Sequence, residues 1–216
     1  MGLGTIMQIK NKLYKLHKYS NYEEYKEIQI KRSKELLNAG QWVVKKNIAF
    51  LSEYLKKNIL HKLSFGLCHG TRSGKEQLWF REYLTGCRVI GTEISDTAKQ
   101  FPHTIEWDFH HVKMGWLRNV DFIYSNAFDH SYDPERCFMN WMACIKPGGI
   151  CIIEHSWSHG PEGVCAVDPF GANIKDMPYL IEQWSNGLYR AHEIINAPVK
   201  SPNLKYLCFL IIKKFK

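Results

Sequence analysis

Short apolar runs alternate with stretches of helical length from residue 63 onward, and this alternation restricts the possible folds more than any other feature of the chain. Apolar runs lie at residues 63–68, 88–94, 104–107, 120–124 and 150–154, with helical patterns at 74–84 and 134–145. Alternation of this kind predicts βαβ units around a parallel sheet. Two final extended runs, 189–197 and 205–215, predict a β-hairpin. The predicted fold is therefore α/β: a three-layer α/β/α, doubly wound, mostly parallel sheet with a terminal antiparallel β-hairpin, plus N-terminal helices.

The N-terminal segment, residues 1–62, differs from the rest in charge. It carries 13 Lys+Arg and 5 Asp+Glu, so the chain's whole net charge of +8 lies within it. One helix is predicted to begin near residue 21, and a second spans 43–59 with apolar residues at helical spacing. We predict two domains, a helical lid at 1–62 and a core at 63–216. The basic charge either attracts an anionic ligand or forms a solvated helix face.

Composition excludes several classes of protein. No apolar run of the 216 residues approaches the roughly 18 that a membrane helix needs, and the first residues lack the apolar region of a secretory signal. The seven cysteines are odd in number and show no CxxC spacing, which argues against a disulfide framework and a zinc knuckle. These observations predict a cytoplasmic protein without membrane insertion and leave its oligomeric state open.

Candidate ligand-binding residues follow the predicted strands, because ligands of open α/β sheets bind at the carboxyl ends of the strands. Gly70 and Gly74 lie between a strand and a helix, where glycine permits a tight turn close to a ligand. Glu93 ends the second run, where a carboxylate accepts hydrogen bonds from two ribose hydroxyls. Asp108 and Phe109 follow the third run and suit the amine and the ring of an adenine.

Four segments together carry a family resemblance: 89–95 (VIGTEIS), 120–126 (VDFIYSN), 133–134 (DP) and 145–150 (IKPGGI). Their order resembles the class I S-adenosylmethionine-dependent methyltransferases, and the Lys-Pro-Gly-Gly turn is the most specific signal. The resemblance covers residues 63–154 and, by topology, the final hairpin. It implies S-adenosylmethionine as cofactor and S-adenosylhomocysteine as product, bound by Gly70, Arg72, Gly74, Glu93, Ile94, Asp108, Phe109, Ser125 and Asn126.

The first motif departs from the family's pattern, which is an acidic residue followed by three glycines at alternate positions. The corresponding positions here hold Cys68, Gly70, Arg72 and Gly74. The acidic residue is missing, and arginine replaces the central glycine. Arg72 is therefore predicted either to bond the carboxylate of the cofactor's methionine moiety or to shape the loop.

The acceptor is predicted to be a small molecule, methylated on oxygen. The segment after the fourth run lacks the Asn/Asp-Pro-Pro-aromatic motif of amino-methylating DNA enzymes, and no cysteine follows a proline, as carbon-5 pyrimidine enzymes require. Nucleic acid is thus disfavoured as a partner. By resemblance, a sugar, a phosphate or a polysaccharide precursor is a suitable acceptor, and an anionic one fits the basic segment.

A hydroxyl acceptor benefits from a general base, and His130 with Asp129 beside it is the first candidate. His155, His159 and Tyr22 are assigned to substrate binding. A divalent metal held by His155 and His159 with Asp129 or Asp168 is an alternative, but the stretch is predicted to be a loop rather than a helix, and we predict no metal site.

Two other functions remain open at the level of sequence. The first is a cofactor-binding module without catalytic activity, because the first motif is altered. The second is an NAD-dependent oxidoreductase on a Rossmann-type fold, which requires a GxGxxG motif that the chain lacks.

Overall fold

The computed structural model describes residues 13–215. The strands of this part are β1 Tyr14–Leu16, β2 Phe65–His69, β3 Arg88–Glu93, β4 Thr104–Glu106, β5 Val120–Ser125, β6 Ile145–Ser156, β7 Phe170–Ala172, β8 Tyr189–Asn196 and β9 Leu207–Lys214. Its α-helices are α1 Tyr22–Glu35, α2 Lys45–Asn58, α3 Lys75–Tyr83, α4 Pro134–Cys144 and α5 Met177–Ser185. Single 3-10 turns lie in several of the connections.

The main sheet has seven strands in the order β4-β3-β2-β5-β6-β9-β8. Neighbouring strands from β4 to β6 are parallel, whereas β9 is antiparallel to both β6 and β8. The predicted fold, including the terminal hairpin, is confirmed. A second, two-stranded sheet pairs β1 with β7 and was not predicted, because strands of three residues are too short to show a periodic pattern.

Apolar side chains on both faces of this sheet pack against the helices that form the two outer layers. Along β5, Phe122 and Tyr124 pack against α2 and α3, whereas Ile123 lies between them in sequence and packs against α4 and α5. This alternation follows from the two-residue period of a strand. Burial on both faces explains why the parallel strands are almost continuously apolar.

The N-terminal helices occupy different positions. Helix α1 begins at Tyr22 because the side chain of Asn21 accepts a hydrogen bond from the backbone N–H of Glu24. The apolar stripe of α2, which includes Ile48 and Leu51, packs in one cluster with the sheet. Helix α2 therefore covers a face of the sheet, while α1 lies over its carboxyl edge. A domain boundary at residue 62 stays a prediction.

The seven cysteine side chains all lie within the described residues. All seven thiols are free, and Cys165 is the exposed one. Of the helices in residues 13–215, none combines the length and the apolar character needed to cross a membrane.

A charged cluster at the opposite, amino edge of the sheet stabilises the fold. The fully buried carboxylate of Asp121 accepts hydrogen bonds from the backbone N–H groups of Ser64 (2.6 Å) and Phe65 (2.7 Å) and from Nζ of Lys146 (2.7 Å). Burial raises the pKa of Asp121, but these donors outweigh it and lower the pKa to about 2. The carboxylate therefore favours the folded state whenever it is ionised.

We expect Asp121→Asn to lower the free energy of unfolding by roughly 2 kcal/mol at neutral pH, because one unit of pKa shift corresponds to about 1.4 kcal/mol. The pKa of Asp121 is lower in the folded state than in the unfolded chain. The stabilisation is thus complete above about pH 4 and is lost as the pH falls towards 2. Denaturant unfolding at several pH values measures this, and an unchanged difference between wild type and variant at pH 2 contradicts it.

Candidate active site

A cavity of about 530 Å³ lies at the carboxyl ends of β2, β3 and β5, beneath helix α1. Two of the predicted cofactor residues, Gly74 and Ser125, do not line it. Gly74 precedes α3, and the hydroxyl of Ser125 donates to the carbonyl oxygen of His69. The remaining seven do line the cavity: Gly70, Arg72, Glu93, Ile94, Asp108, Phe109 and Asn126.

The loop between β2 and α3 repeats a left-handed backbone conformation at alternate residues. The φ angles are +70° at Gly70, +40° at Arg72 and +67° at Gly74. A Cβ on Gly70 would lie 2.5 Å from Cβ of Ala127, so glycine is needed there for close approach as well. Arg72 thus adopts a conformation that favours glycine, at a cost of roughly 1–2 kcal/mol. Its Nη2 donates to the carbonyl oxygen of Gly40 (2.9 Å), which ties the loop to the N-terminal segment.

Glu93 stands at the end of β3, with its carboxylate held by the same loop. Oε2 accepts the backbone N–H of Arg72 (3.0 Å) and Oε1 that of Ser95 (3.1 Å). Burial raises the pKa of Glu93, and these N–H donors oppose that effect. Because each carboxylate oxygen has two lone pairs, both can accept a further hydrogen bond from a ligand.

Asp108 anchors α1 to the core. Its Oδ2 accepts the hydroxyl of Tyr22 (2.8 Å), and its Oδ1 lies 2.7 Å from Nδ1 of His110. Burial raises the pKa of Asp108, but the hydrogen bonds and charge of His110 outweigh it and lower the pKa to about 2. Tyr22 is not among the residues that line the cavity, so its contact with Asp108 holds the helix in place.

His130 lines the cavity, and one of its ring nitrogens is fixed by α1. The amide Nε2 of Gln29 donates to the carbonyl oxygen of Val167 (3.0 Å), which directs its Oε1 towards Nδ1 of His130 (2.9 Å). Nδ1 must therefore carry a proton. The other nitrogen, Nε2, has a free lone pair in the neutral ring and lies 3.6 Å from Oδ1 of Asp168.

Two more side chains complete this end of the cavity. Oδ2 of Asp129 lies 3.8 Å from Nε2 of His159, and the buried Oδ1 of Asp129 has no hydrogen-bond partner. Nδ1 of His159 accepts the backbone N–H of Ser156 (3.2 Å), so the neutral ring carries its proton on Nε2 and directs it to Asp129. Asp129, His130 and Asp168 each offer a ligand atom within 4.8 Å of the others, a spacing that also suits a cation.

His155 was predicted to bind substrate but does not line the cavity. Its Nε2 lies 3.0 Å from the carbonyl oxygen of Ala172, and its Nδ1 lies 3.3 Å from the hydroxyl of Tyr206. Burial lowers its pKa to about 4. His155 is thus a neutral histidine whose contacts join β6 to β7 and to the segment before β9.

Several cavity residues were missed by the sequence analysis, namely Gln29, Trp42, Glu76, Trp157 and Leu204. They come from α1, from the segment before α2, from the first turn of α3 and from loops after β6 and β8. The exposed fractions of Trp42 (43%) and Trp157 (45%) are high for such large aromatic side chains. No local pattern marks these positions, because the sequence does not show which distant segments meet over the sheet.

The sequence matches no protein-family model and no curated protein. Among solved structures, the chain is similar to the 1,6-didemethyltoxoflavin N1-methyltransferase of Burkholderia thailandensis, crystallised with its named substrate and S-adenosylhomocysteine. The two share 12% identity over 97% of this chain and 99% of that chain, with a TM-score of 0.69. The plantazolicin methyltransferase BpumL, in complex with S-adenosylhomocysteine, covers 90% and 97% at 11% identity, with a TM-score of 0.62.

These similarities establish the fold: the chain has the Rossmann-like fold of the class I S-adenosylmethionine-dependent methyltransferases. The same fold also occurs in the [4+2]-cyclase SpnF, which covers 87% of this chain and 93% of its own length at 9% identity, with a TM-score of 0.59. The chemistry must therefore be argued from the site itself.

Proposed function

We propose that the protein is an S-adenosylmethionine-dependent methyltransferase acting on a small molecule. The observation that supports this most strongly is the carboxylate of Glu93, which lies in the cavity beside the left-handed loop of Gly70, Arg72 and Gly74. Asp108 and Phe109 border the same space and suit the adenine. The arrangement offers what a nucleoside cofactor needs. It has acceptors for two ribose hydroxyls, a polar group for the adenine amine, and a glycine loop that lets the cofactor approach the protein backbone.

The acceptor is proposed to be methylated on oxygen at the end of the cavity formed by Asp129, His130, His159 and Asp168. The cofactor supplies a methyl group bound to a sulfonium. His130 accepts the proton of the acceptor hydroxyl on Nε2, because Gln29 holds the proton of the ring on Nδ1. Asp129 lies close to His159 and holds its ring at the border of the site. The Asp129 carboxylate also stabilises the positive charge that develops on His130.

Two features support a small acceptor over a macromolecule. Helix α1 lies over the carboxyl edge of the sheet, and its Gln29 and Tyr25 are buried. Trp42 and Trp157 border the cavity and offer flat apolar surfaces to a compact ligand. A sugar or phosphate-bearing metabolite fits the basic N-terminal segment, and we propose a cytoplasmic enzyme without a nucleic-acid partner.

Residues 1–62 are proposed to act as a lid over the cofactor. We expect deletion of residues 1–40 to raise the dissociation constant of S-adenosylhomocysteine by about tenfold, because it removes Gln29, Tyr22 and their contacts with the site. Calorimetry measures the affinity, and far-UV circular dichroism checks that the sheet remains folded. A folded deletion variant with wild-type affinity shows that the segment is only a solvated face.

Titration calorimetry with S-adenosylmethionine, S-adenosylhomocysteine and NAD tests the proposal. We expect micromolar binding of the first two and none of NAD. Methyl transfer from labelled cofactor to a panel of hydroxylated, phosphorylated and nitrogen-containing metabolites then identifies the acceptor atom. Cofactor binding with no turnover on the panel favours the binding module instead, because the altered first motif leaves that function open.

A further inference from the structure

Several buried side-chain atoms of cavity residues lack a hydrogen-bond partner, and two of them come from the loop between β2 and α3 and from the first turn of α3. They are Nε of Arg72 and Oε2 of Glu76, and both residues line the cavity. Buried polar groups in folded proteins are nearly always satisfied, so each orphaned atom needs an explanation. The two side chains also form no ion pair with each other, although only four positions separate them in the chain.

The environment of Glu76 leaves one oxygen open. The hydroxyl of Ser73 donates to Oε1 of Gln41 (2.6 Å), which directs the amide Nε2 of Gln41 to Oε1 of Glu76 (3.0 Å). The carboxyl group is almost fully buried, with 2% of the residue exposed. One oxygen is therefore held by the N-terminal segment, and the other is available to a ligand.

Titratable groups on several neighbouring elements interact with the carboxyl group of Glu76. Burial, together with a smaller effect of the carboxyl of Glu154 on β6, raises the pKa of Glu76 to about 8, and Arg72 opposes the shift. Cys68 on β2 and Tyr124 on β5 are also close enough to interact electrostatically. Within residues 13–215 no lysine or arginine forms an ion pair with Glu76, so no direct counterion stabilises the ionised form of its carboxyl group.

We propose that Glu76 and Arg72 bind the amino-acid end of the cofactor, with Oε2 of Glu76 accepting the α-ammonium and Nε of Arg72 donating to the α-carboxylate. The inference rests on the proposed function, since it assigns a part of the same ligand. A zwitterionic α-amino acid carries both charges that the two orphaned atoms require. Cys68, which stands where an acidic residue is missing, offers no such charge, and Glu76 supplies it from the next helix.

The test compares two ligands that differ only in the amino-acid part. S-adenosylhomocysteine carries it, whereas 5′-methylthioadenosine has the same nucleoside and a methyl thioether in its place. Both are titrated calorimetrically into the full chain at pH 7, in buffers of different ionisation enthalpy, to count protons released on binding. A carboxyl group with a pKa of about 8 is mostly protonated at pH 7 and must ionise to pair with an ammonium.

We expect the wild type to release up to one proton per S-adenosylhomocysteine and almost none per methylthioadenosine, because Glu76 is mostly protonated beforehand. Glu76→Gln should bind S-adenosylhomocysteine at least about tenfold more weakly and release no proton, while its methylthioadenosine affinity stays within about twofold. Glu82→Gln is the matched control, because Glu82 lies on the same helix, exposed and paired with Lys45.

Arg72→Gly is the second variant, since glycine suits the left-handed φ of +40° and keeps the backbone N–H that Glu93 accepts. This variant should bind S-adenosylhomocysteine more weakly than the wild type and methylthioadenosine with unchanged affinity. The inference is overturned if Glu76→Gln still releases the proton or weakens both ligands equally. Wild type that binds methylthioadenosine and S-adenosylhomocysteine with equal affinity overturns the inference alone, whereas wild type that binds neither overturns the proposed function with it.

Discussion

Replacing Glu93 with alanine should weaken the binding free energy of S-adenosylhomocysteine by roughly 2–4 kcal/mol. A charge-assisted hydrogen bond contributes about 1.5–3 kcal/mol, and the loss of two such bonds to the ribose hydroxyls is partly offset by water that replaces the carboxylate. The carboxylate is held in place before the ligand arrives, by the backbone N–H groups of Arg72 and Ser95. Little ordering of Glu93 itself is then required on binding. Calorimetry with S-adenosylhomocysteine measures the loss.

The alanine variant also removes the acceptor for two backbone N–H groups, so Glu93→Gln serves as a second variant that keeps the side chain's shape. It retains one acceptor oxygen and should lose a smaller part of the affinity. Glu106→Ala is the matched control, because Glu106 is paired with Glu93 in register on β4 but is exposed and bound to Lys99. Folded Glu93 variants with wild-type affinity exclude the ribose assignment.

Replacing His130 with alanine should lower turnover by roughly a hundredfold or more, with cofactor affinity nearly unchanged, because general-base catalysis typically contributes 10²–10⁴-fold. His130 stands beside Asp168 and Asp129, and its Nδ1 is held by Gln29, so its Nε2 is the nitrogen available to the acceptor. Single-turnover measurements at saturating cofactor separate this effect from binding.

Chemical rescue adds a second measurement. Added imidazole should restore part of the turnover of His130→Ala, because it replaces the acceptor of the hydroxyl proton, and should leave the wild-type rate unchanged. The carboxylates nearest the ring are those of Asp168 and Asp129, at the same end of the cavity. His155→Ala is the control, because both nitrogens of that ring have other partners.

Three outcomes would change the assignment. Full rate in His130→Ala with loss of rate in His159→Ala moves the base to His159. Turnover that requires a divalent cation and disappears with a chelator makes His130 a metal ligand together with Asp129 and Asp168. Full rate in every histidine variant indicates catalysis by proximity, with an acceptor that is already ionised, such as a carboxylate or phosphate.

Gln29→Leu tests the positioning of the base without touching the acceptor. Loss of the Gln29 amide frees Nδ1 of His130 to exchange its proton with Nε2, so turnover should fall by less than in His130→Ala. Gln29→Glu, which keeps an acceptor oxygen for Nδ1, should restore most of the turnover, whereas a purely structural role of Gln29 predicts equal losses in both variants.

The periodicity of apolar residues by itself determined the strands of the main sheet and their order along the chain. Residues 88–94 and 120–124 predicted β3 and β5 closely, because strands buried on both faces have continuous apolar runs. The same pattern placed Glu93 and Asp108 correctly at the carboxyl edge, since a side chain directly after a parallel strand must lie there. The left-handed φ of Arg72 also agrees with the assignment of this residue to the central glycine position of the first motif.

Only the tertiary structure decided which side chains meet over that edge. His130 follows β5 and His155 lies near the end of β6. Helix α1 contacts the first at the cavity, whereas the second is buried against β7 and does not line the cavity. Gln29 lies 101 positions from the histidine it contacts. Glu76 has the sequence position of an ordinary first-turn glutamate but is buried. A local pattern specifies which face of an element is apolar, whereas the segments that cover a site are fixed by long-range packing and hydrogen bonds that no short stretch of sequence contains.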